Sequence, residues 1–341
     1  MTMPRRTFLG LGALAALSAA SPALADRRRI LTSPEQPEPV ASGRLPELGR
    51  ALGRLRVGSA SQHGGLLVFW LVGGPPASTV TIETLEEARA SGALAITERA
   101  APTVPELVVE NRGKAHVLLL AGEILVGGKQ NRVLREDILL PPLSGPRPIG
   151  VYCVEQGRWN EGRRDFESKS TFADPGLRRK VYDRVDQQSV WSAVQGLTSG
   201  VQAASPTQSY QQAYETPAVR EHLGAAERVL DVKAAPDALG AAVYAGPALS
   251  GVDVFGSSTL FARQWTKLLR AHAVGAYAAP PAAGSEAKLR GAVQALLAAA
   301  GAASGSVRGN AGVGQVFEFA VERYRGAALA YEGGIVHAAI L

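Results

Sequence analysis

The sequence predicts an α+β fold, with antiparallel-rich β-sheets and a mid-chain helical block in one domain. Three observations support this. Strand-like runs follow one another between residues 66 and 155, helical patterns dominate from residue 175, and residues 317–341 return to strand-like alternation. Blocks of strands separated from blocks of helices, rather than regular βαβ units, are typical of α+β proteins.

The first strand block is read from apolar runs and the residues that interrupt them. Residues 66–72 form a continuous apolar run bounded by glycine pairs, which indicates a buried strand. A short helix is predicted at 84–92, where Gly92 ends it. Five further strands are predicted at 94–98, 107–110, 116–126, 133–140 and 149–155.

The later elements follow helix-starting residues. Asp174-Pro175, Pro217 and Ser257 or Ser258 each precede an apolar stripe at helical spacing, the first of which extends to about residue 194. A fourth helix, rich in Ala and Leu, is predicted at 285–300. Residues 243–255 return to strands before the third helix, and the last strand is predicted at 335–341.

The N-terminus predicts export. Residues 5–9 are typical of a twin-arginine signal, residues 10–24 are apolar and uncharged, and residues 23–25 match a small-residue cleavage site. The predicted organisation is a signal peptide at 1–25, a flexible leader at 26–46 and a single domain at 47–341. We expect a periplasmic or extracellular protein that has no membrane contact after cleavage. The alternative is an uncleaved anchor, although the apolar run is shorter than the roughly 20 residues of a comfortable span.

Charge and cysteine content exclude several classes of protein. Signal removal takes away two arginines and no acid, so the formal net charge falls from +6 to +4, and no long basic run indicates a nucleic-acid partner. A single cysteine, Cys153, cannot form an internal disulfide. The five histidines show no metal-ligand spacing, so neither a metal nor a cofactor is predicted. The oligomeric state stays open.

Two short blocks concentrate charged and amide side chains between apolar runs. Their candidate residues are Glu123, Lys129, Gln130, Asn131 and Arg132 in the first block, and Cys153, Glu155, Arg158 and Trp159 in the second. Gly127-Gly128 permits a sharp turn that places residues 129–132 at a hairpin tip. Two cations and two amides at such a tip suit a polyoxygenated or anionic ligand.

These residues suggest roles in a polar pocket. Glu123 and Glu155 are candidate general acids or bases, and Trp159 is either a stacking platform beside the cations and amides or a packing residue at the rim. The alternative is a buried salt-bridge network that only orients loops. We interpret Cys153 as a small core residue rather than a nucleophile. His337 lies in a predicted strand and is interpreted as a packed, hydrogen-bonded histidine.

The two blocks resemble a bacterial family, the ARG and rhodanese-phosphatase-superfamily-associated protein domain, where ARG denotes ADP-ribosylglycohydrolase. The first block meets the pattern G-E-x-L-x-G-x-K-Q-N-R with Gly122, Glu123, Leu125, Gly127, Lys129, Gln130, Asn131 and Arg132. The second meets C-V-E-x-G-R-W with Cys153, Val154, Glu155, Gly157, Arg158 and Trp159. A later D-x-F-G-S segment contains Asp253, and a C-terminal strand carries His337.

The resemblance covers nearly all of residues 47–341 and implies no established activity. The family name makes a nucleotide-derived or phosphorylated ligand the natural expectation, by analogy only. It adds Asp253 and His337 to the candidate pocket. Two hypotheses therefore stand: an exported protein that binds a small anionic, ADP-ribose-like molecule, and a non-catalytic envelope structural or protein-interaction module. Whether the protein is an enzyme stays open.

Overall fold

The β-strands of this chain pair almost entirely with antiparallel neighbours. The structure is a computed structural model that describes residues 41–73, 80–99, 105–159 and 164–341; the predicted signal peptide and most of the predicted leader lie outside these ranges. The strands are β1 (Ala41–Arg44), β2 (Arg56–His63), β3 (Leu66–Val72), β4 (Ile82–Thr84), β5 (Leu94–Glu98), β6 (Glu106–Asn111), β7 (His116–Leu119), β8 (Glu123–Gly127), β9 (Arg132–Leu134), β10 (Ile138–Leu140), β11 (Gly145–Cys153), β12 (Phe166–Phe172), β13 (Ala238–Ala245), β14 (Ala248–Phe255), β15 (Ser304–Arg308), β16 (Gln315–Val321), β17 (Tyr324–Tyr331) and β18 (Gly334–Ile340). The α+β prediction is confirmed.

Helices concentrate between β12 and β15, as the sequence predicts. They are α1 (Pro46–Gly53), α2 (Leu85–Ala90), α3 (Pro175–Tyr182), α4 (Gln187–Gly200), α5 (Gln211–Glu215), α6 (Pro217–Val229), the 3₁₀ turn η1 (Val232–Ala234), α7 (Ser258–Gly275) and α8 (Glu286–Gly301). Asp174, Ser257 and Ser285 cap α3, α7 and α8 by accepting a backbone N–H, which confirms these three predicted helix starts. No helix within the described ranges has the length and apolarity needed to cross a bilayer.

Three sheets carry the architecture. The largest has nine strands in the order β1-β15-β16-β17-β18-β14-β13-β3-β2, and every neighbouring pair is antiparallel. A six-stranded antiparallel sheet has the order β12-β8-β9-β11-β6-β5. A three-stranded sheet, β10-β7-β4, contains a parallel pair between β4 and β7.

Both faces of the nine-stranded sheet are covered. On one face α1 and α8 pack through apolar residues such as Leu48, Leu52 and Leu297. The other face packs against the mid-chain helices and the β7–β9 segment, with Trp70, Phe172 and Trp265 in the shared core. Helix α7 therefore lies between the two larger sheets and carries Lys267 and His272 into the interior.

Two predicted strands are each divided in the structure. Residues 116–126 form β7 and β8 with a turn between them, because the Leu120 N–H donates to Glu123 Oε2 (3.1 Å) and the Ala121 N–H donates to Asp137 Oδ1 (2.8 Å). Residues 133–140 divide into β9 and β10 around the segment that contains Asp137. The carboxylates of Glu123 and Asp137 thus capture backbone donors that a continuous ladder would have used.

Two further predictions are corrected in detail. The helical stripe after Pro175 is two helices, since Arg184 has a positive φ of 50° and Asp186 caps a new helix by accepting the Ser189 N–H. Residues 41–46, assigned to the flexible leader, form β1 and begin α1. β1 is exposed along its whole length and has no apolar pattern, and it is ordered by pairing with β15, which no local signal reveals.

Candidate functional site

The β8–β9 hairpin brings the two polar blocks together. Residues 128–131 form its turn, and β9 pairs with β11 so that Arg132 lies opposite Cys153. Gly128 has a φ of +50°, and a β-carbon there would lie 2.2 Å from the Phe166 ring, so only glycine fits this position. The predicted hairpin tip is therefore present, with the second block beside it.

Glu155 and Arg158 form the framework of the tip. The Glu155 carboxylate accepts hydrogen bonds from the Thr207 hydroxyl (2.8 Å), the Asn131 N–H (3.2 Å) and Arg158 Nε (2.9 Å). Arg158 also donates to the carbonyl oxygens of Gly127 (3.1 Å) and Gly128 (2.9 Å). The Glu155 carboxylate, the candidate acid or base of this block, is thus occupied by hydrogen bonds that hold the turn.

The amides of the tip are equally occupied. Asn131 Oδ1 accepts from the Gly127 N–H (3.0 Å) and from Arg158 (3.0 Å), while its Nδ2 donates to Ser209 (3.0 Å). Gln130 Oε1 accepts from the Cys153 thiol at 3.2 Å. Both amide side chains are buried, so they fix the hairpin against neighbouring segments rather than present themselves to solvent.

Arg132 lies in the interior beneath the tip. Its Nη2 is 3.6 Å from Glu98 Oε1, and its Nη1 donates to the Gln130 carbonyl at 2.7 Å. Glu98 Oε1 also accepts the Lys129 N–H at 3.0 Å. Glu98 was absent from the candidates because it ends a strand far earlier in the chain. A buried pair of this kind makes the turn rigid but offers no exposed charge.

The Gln187 side chain holds the backbone of Cys153 through two hydrogen bonds. Its N–H donates to Gln187 Oε1 (2.9 Å), and its carbonyl accepts from Gln187 Nε2 (2.8 Å). Burial raises the pKa of the Cys153 thiol to about 11. A buried thiol that stays protonated at neutral pH is a poor nucleophile.

Lys129 and Trp159 stand at the surface of the same tip. The Lys129 ammonium lies 4.6 Å from the centroid of the Trp159 ring, a cation–π geometry. Trp159 is 37% exposed, whereas Gln130, Asn131 and Arg132 are buried. Trp159 and the partly exposed Lys129 and Arg158 are thus the candidate residues that a soluble ligand could reach directly.

Glu123 does not join the tip. It begins β8 while the turn follows the end of that strand, roughly 13 Å away along an extended chain. Its Oε1 contacts the Lys267 ammonium of α7, and Lys267 also bonds to Glu86 of α2 at 3.0 Å. Burial raises the pKa of Glu123 to about 7, although Lys267 opposes the shift.

Asp253 and His337 meet in a separate buried cluster. His337 Nδ1 lies 2.6 Å from Asp137 Oδ2, and His337 Nε2 lies 3.1 Å from Asp253 Oδ1. Arg178 donates to both oxygens of Asp253, at 2.8 and 3.0 Å. Cys153, grouped with these residues in the candidate pocket, hydrogen-bonds to Gln130 and Gln187 instead.

The charges in this cluster set its protonation. Burial alone would lower the pKa of His337, but Asp137 and Asp253 outweigh burial and raise it to about 9. Burial would raise the pKa of Asp253, but Arg178 holds it well below its usual value. His337 is therefore an imidazolium between two carboxylates at neutral pH.

A comparison with protein families now identifies the chain. A model of the ARPP-1 family, the ARG and Rhodanese-Phosphatase-superfamily-associated Protein domain, matches residues 54–341. The chain belongs to this family. No curated protein and no solved structure matches the chain. The family assignment confirms the resemblance drawn from the two motif blocks.

Several buried polar residues of this ARPP-1 domain are not apparent from the sequence alone. Lys267, Arg178 and Asp137 are buried charges that neutralise the predicted Glu123, Asp253 and His337. The sequence contains a weak indication that Lys267 and Arg178 are buried, because each is next to a residue of an apolar helix stripe. A cation at a buried helical position requires an acid nearby, but the sequence does not say which one.

The described clefts of the ARPP-1 domain lie elsewhere. One of about 320 Å³ lies between α1 and the β17–β18 turn, and another of about 270 Å³ is lined by Lys169, Arg220 and Arg270 among others. Two further clefts of about 380 Å³ lie beside β16 and beside α4. None of these four is lined by a predicted site residue. In the described part of the chain, no group of three or more His, Cys, Asp or Glu side chains is placed to hold a metal.

Proposed function

We propose that this ARPP-1 domain binds a small anionic, nucleotide-like ligand at the hairpin tip. Lys129 would pair with the anionic group, and Trp159 would stack on the base or pack against the sugar. The observation that carries the proposal is the Lys129 ammonium placed 4.6 Å from the centroid of a partly exposed tryptophan ring. A cation beside an aromatic face suits a molecule that combines a phosphate with a ring.

The buried residues of the tip support binding indirectly. Glu155, Asn131 and Arg158 fix the turn through hydrogen bonds to one another and to the Gly127 carbonyl. A binding site held by such a network loses little conformational entropy when its ligand arrives. We assign Glu155 to this framework and Glu123 to the Lys267 contact, so neither is proposed as an acid or base for a bound substrate.

The ligand class follows from this chemistry and from the family name. Lysine is a point charge that accepts phosphate or carboxylate without strict geometry. The name of the family records association with ADP-ribosylglycohydrolase and phosphatase-superfamily proteins. ADP-ribose and related nucleotides contain both an anionic group and an aromatic ring, and we therefore propose them as the first ligands to test.

The Lys129→Ala and Trp159→Ala variants test the proposal. We expect ADP-ribose or a related nucleotide to raise the melting temperature of the wild-type protein, and each variant to weaken binding. Stacking on an aromatic side chain contributes roughly 1–3 kcal/mol, so Trp159→Ala should lose about fivefold or more in affinity. Binding is measured by thermal shift and by quenching of tryptophan fluorescence, against inorganic phosphate and ribose 5-phosphate.

Lys114→Ala is the matched control, because Lys114 is an exposed lysine on the β6–β7 turn. It should bind like the wild type. Arg132→Ala is unsuitable as a binding variant, since it removes a buried charge and would lower stability directly. If Lys129→Ala binds every responsive ligand as tightly as the wild type, the tip is not the binding site.

A second candidate function is a non-catalytic structural or protein-interaction module. The occupied hydrogen bonds of Glu155, Asn131 and Arg158 favour it, since a purely structural network would look the same. The exposed hydrophobic residues do not add support for this function. Within the described ranges the large ones are Leu143, Trp159 and Val229, which lie on separate segments and form no extended apolar docking surface. Absence of binding to every ligand in the panel would favour this function.

We also propose that the protein is exported by the twin-arginine route. Arg5 and Arg6 precede the apolar segment and the small-residue cleavage site. Replacing both arginines with lysine should keep the full-length precursor in the cytoplasm, whereas the wild type should appear, shortened, in the periplasmic fraction. Immunoblots of cell fractions measure this. Equal export of both forms would contradict the twin-arginine assignment.

A further inference from the structure

We propose that Lys267 and Glu123 condense into an intramolecular amide, with Glu86 carrying the proton. The Lys267 ammonium contacts Glu123 Oε1 and lies 3.0 and 3.3 Å from the two oxygens of Glu86. The link would join α7 to the first residue of β8, across 144 residues of chain. It would covalently connect the six-stranded sheet to the helix that packs on the nine-stranded sheet.

The three groups lie in an environment that suits condensation. The Glu123 and Lys267 side chains are 1% and 4% exposed, and the Lys267 ammonium is 5.9 Å from the centroid of the Phe172 ring. The Glu86 side chain is 29% exposed, and its Oε1 accepts a hydrogen bond from Ser168 at 3.0 Å. The reacting pair is thus shielded from water, while the third carboxylate reaches the surface and can pass protons to it.

Confinement and burial both favour the amide. Reacting groups held in contact have effective concentrations of roughly 10⁵–10⁸ M, which offsets the cost of condensation in water. The amide is neutral, so its formation removes two charges from the interior, where each charge is costly. Burial also raises the pKa of Glu123 to about 7, which increases its neutral, electrophilic form.

Protonation of Lys267 slows the reaction without preventing it. Burial would lower the pKa of Lys267, but the Glu123 and Glu86 carboxylates outweigh burial and raise it. The ammonium form therefore dominates, and reaction starts from the small fraction in which its proton has moved to Glu123. A slow step is sufficient, because each molecule reacts only once.

The bond changes balance without a further reactant. Proton transfer converts the ammonium and carboxylate into an amine and a carboxylic acid, and the Nζ lone pair then forms a bond to Glu123 Cδ. Glu86 accepts a proton from the nitrogen and returns it to the departing Oε1 hydroxyl, so one water molecule leaves. Oε2 remains as the amide oxygen, already bonded to the Leu120 N–H at 3.1 Å.

Peptide mapping of the full-length protein distinguishes the amide from an ion pair. Trypsin cleaves after unmodified Lys267 and gives residues 264–267 and 268–270 as separate peptides. The amide blocks this cleavage and joins residues 264–270 to residues 115–129, which contain Glu123. The expected result is this branched peptide, lighter by one water molecule than the sum of its two parts. Recovery of only the unlinked peptides overturns the proposal.

Variants show which groups carry the reaction. Lys267→Arg keeps the positive charge but removes the amine, and it should yield no branched peptide. Glu86→Gln keeps both reacting groups and should slow linkage by at least tenfold, as followed by the linked fraction after synthesis. Lys169→Arg alters an exposed ion pair with Glu215 and should link fully. Normal linkage in Glu86→Gln would overturn the role given to Glu86.

Discussion

Replacing Asp253 with alanine is expected to lower the free energy of unfolding by about 3–5 kcal/mol. Asp253 accepts two hydrogen bonds from Arg178, at 2.8 and 3.0 Å, and it lies 3.1 Å from His337 Nε2. All three side chains are buried. The alanine variant would leave a guanidinium in the interior without its carboxylate, and the cost of an unpaired buried charge exceeds the value of the original pair.

Urea unfolding of the wild type and the variant measures this loss. The matched control is Asp183→Ala, because Asp183 pairs with Arg325 at 3.0 Å on an exposed part of the surface. Exposed pairs contribute at most about 1 kcal/mol, so the control should remain close to the wild type. If Asp253→Ala loses no more than Asp183→Ala, water reaches the cluster and the pair is not buried in solution.

The second large effect is a fall in stability at alkaline pH caused by His337. The pKa of His337 rises from 6.5 to about 9 on folding, which corresponds to about 3 kcal/mol. Below pH 6.5 both states hold the proton and the contribution is complete. Between pH 6.5 and about pH 9 only the folded state holds the proton, so the free energy of unfolding falls as pH rises. Above about pH 9 the contribution of His337 to stability is gone.

Glu123 titrates at a lower pH than His337, so the effects of the two residues on stability can be separated. In the unlinked form, where Glu123 keeps its carboxyl group, the pKa of Glu123 is raised from 4.5 to about 7, so its contribution to stability also falls with rising pH but is lost by about pH 7. The interval from pH 7 to 9 therefore reports mainly on His337. Urea unfolding across that interval should show a negative slope in the wild type and a much flatter line in His337→Gln.

Asp137→Asn provides the corresponding control. The Asp137 carboxylate raises the pKa of His337 from 2.6 Å away, and an asparagine removes that charge while keeping a similar shape. The alkaline slope should become shallower in this variant without vanishing, because Asp253 remains. A His337→Gln variant that keeps the full wild-type slope would refute the assignment of this titration to His337.

The two charge clusters meet at one short segment of the chain. The Leu120 N–H donates to Glu123, which contacts Lys267, and the Ala121 N–H donates to Asp137, which pairs with His337. The β7–β8 turn thus connects α7, through Glu123, with β18, through Asp137. Loss of either cluster should therefore loosen the packing of the smaller sheets on the nine-stranded sheet.

Local signals account for the elements that the sequence predicted well. Asp174, Ser257 and Ser285 accept hydrogen bonds from the first turns of their helices, and such caps act within a few residues. The Gly127-Gly128 turn and the apolar run of β3 are likewise local. The hairpin tip that carries Lys129 followed from these signals alone.

Pairing between distant segments accounts for two of the errors, whereas the missed helix start at Asp186 is a local cap. The predicted strand 116–126 breaks because Asp137 binds the Ala121 N–H, and the short β1 is ordered only because it pairs with β15. Neither event leaves a pattern in the sequence near the affected residues. The same limit applies to the candidate site, because no local pattern identifies the partner of Glu123.

The sequence by itself determined the fold class, most of the helix starts, the β8–β9 hairpin and the membership in the ARPP-1 family. Only the tertiary structure decided which distant charges meet: Glu123 with Lys267, Asp253 with Arg178, and Arg132 with Glu98. The physical reason is that caps, turns and periodicity depend on neighbouring residues. A buried charge is instead neutralised by whichever opposite charge the packing brings close, at any separation along the chain.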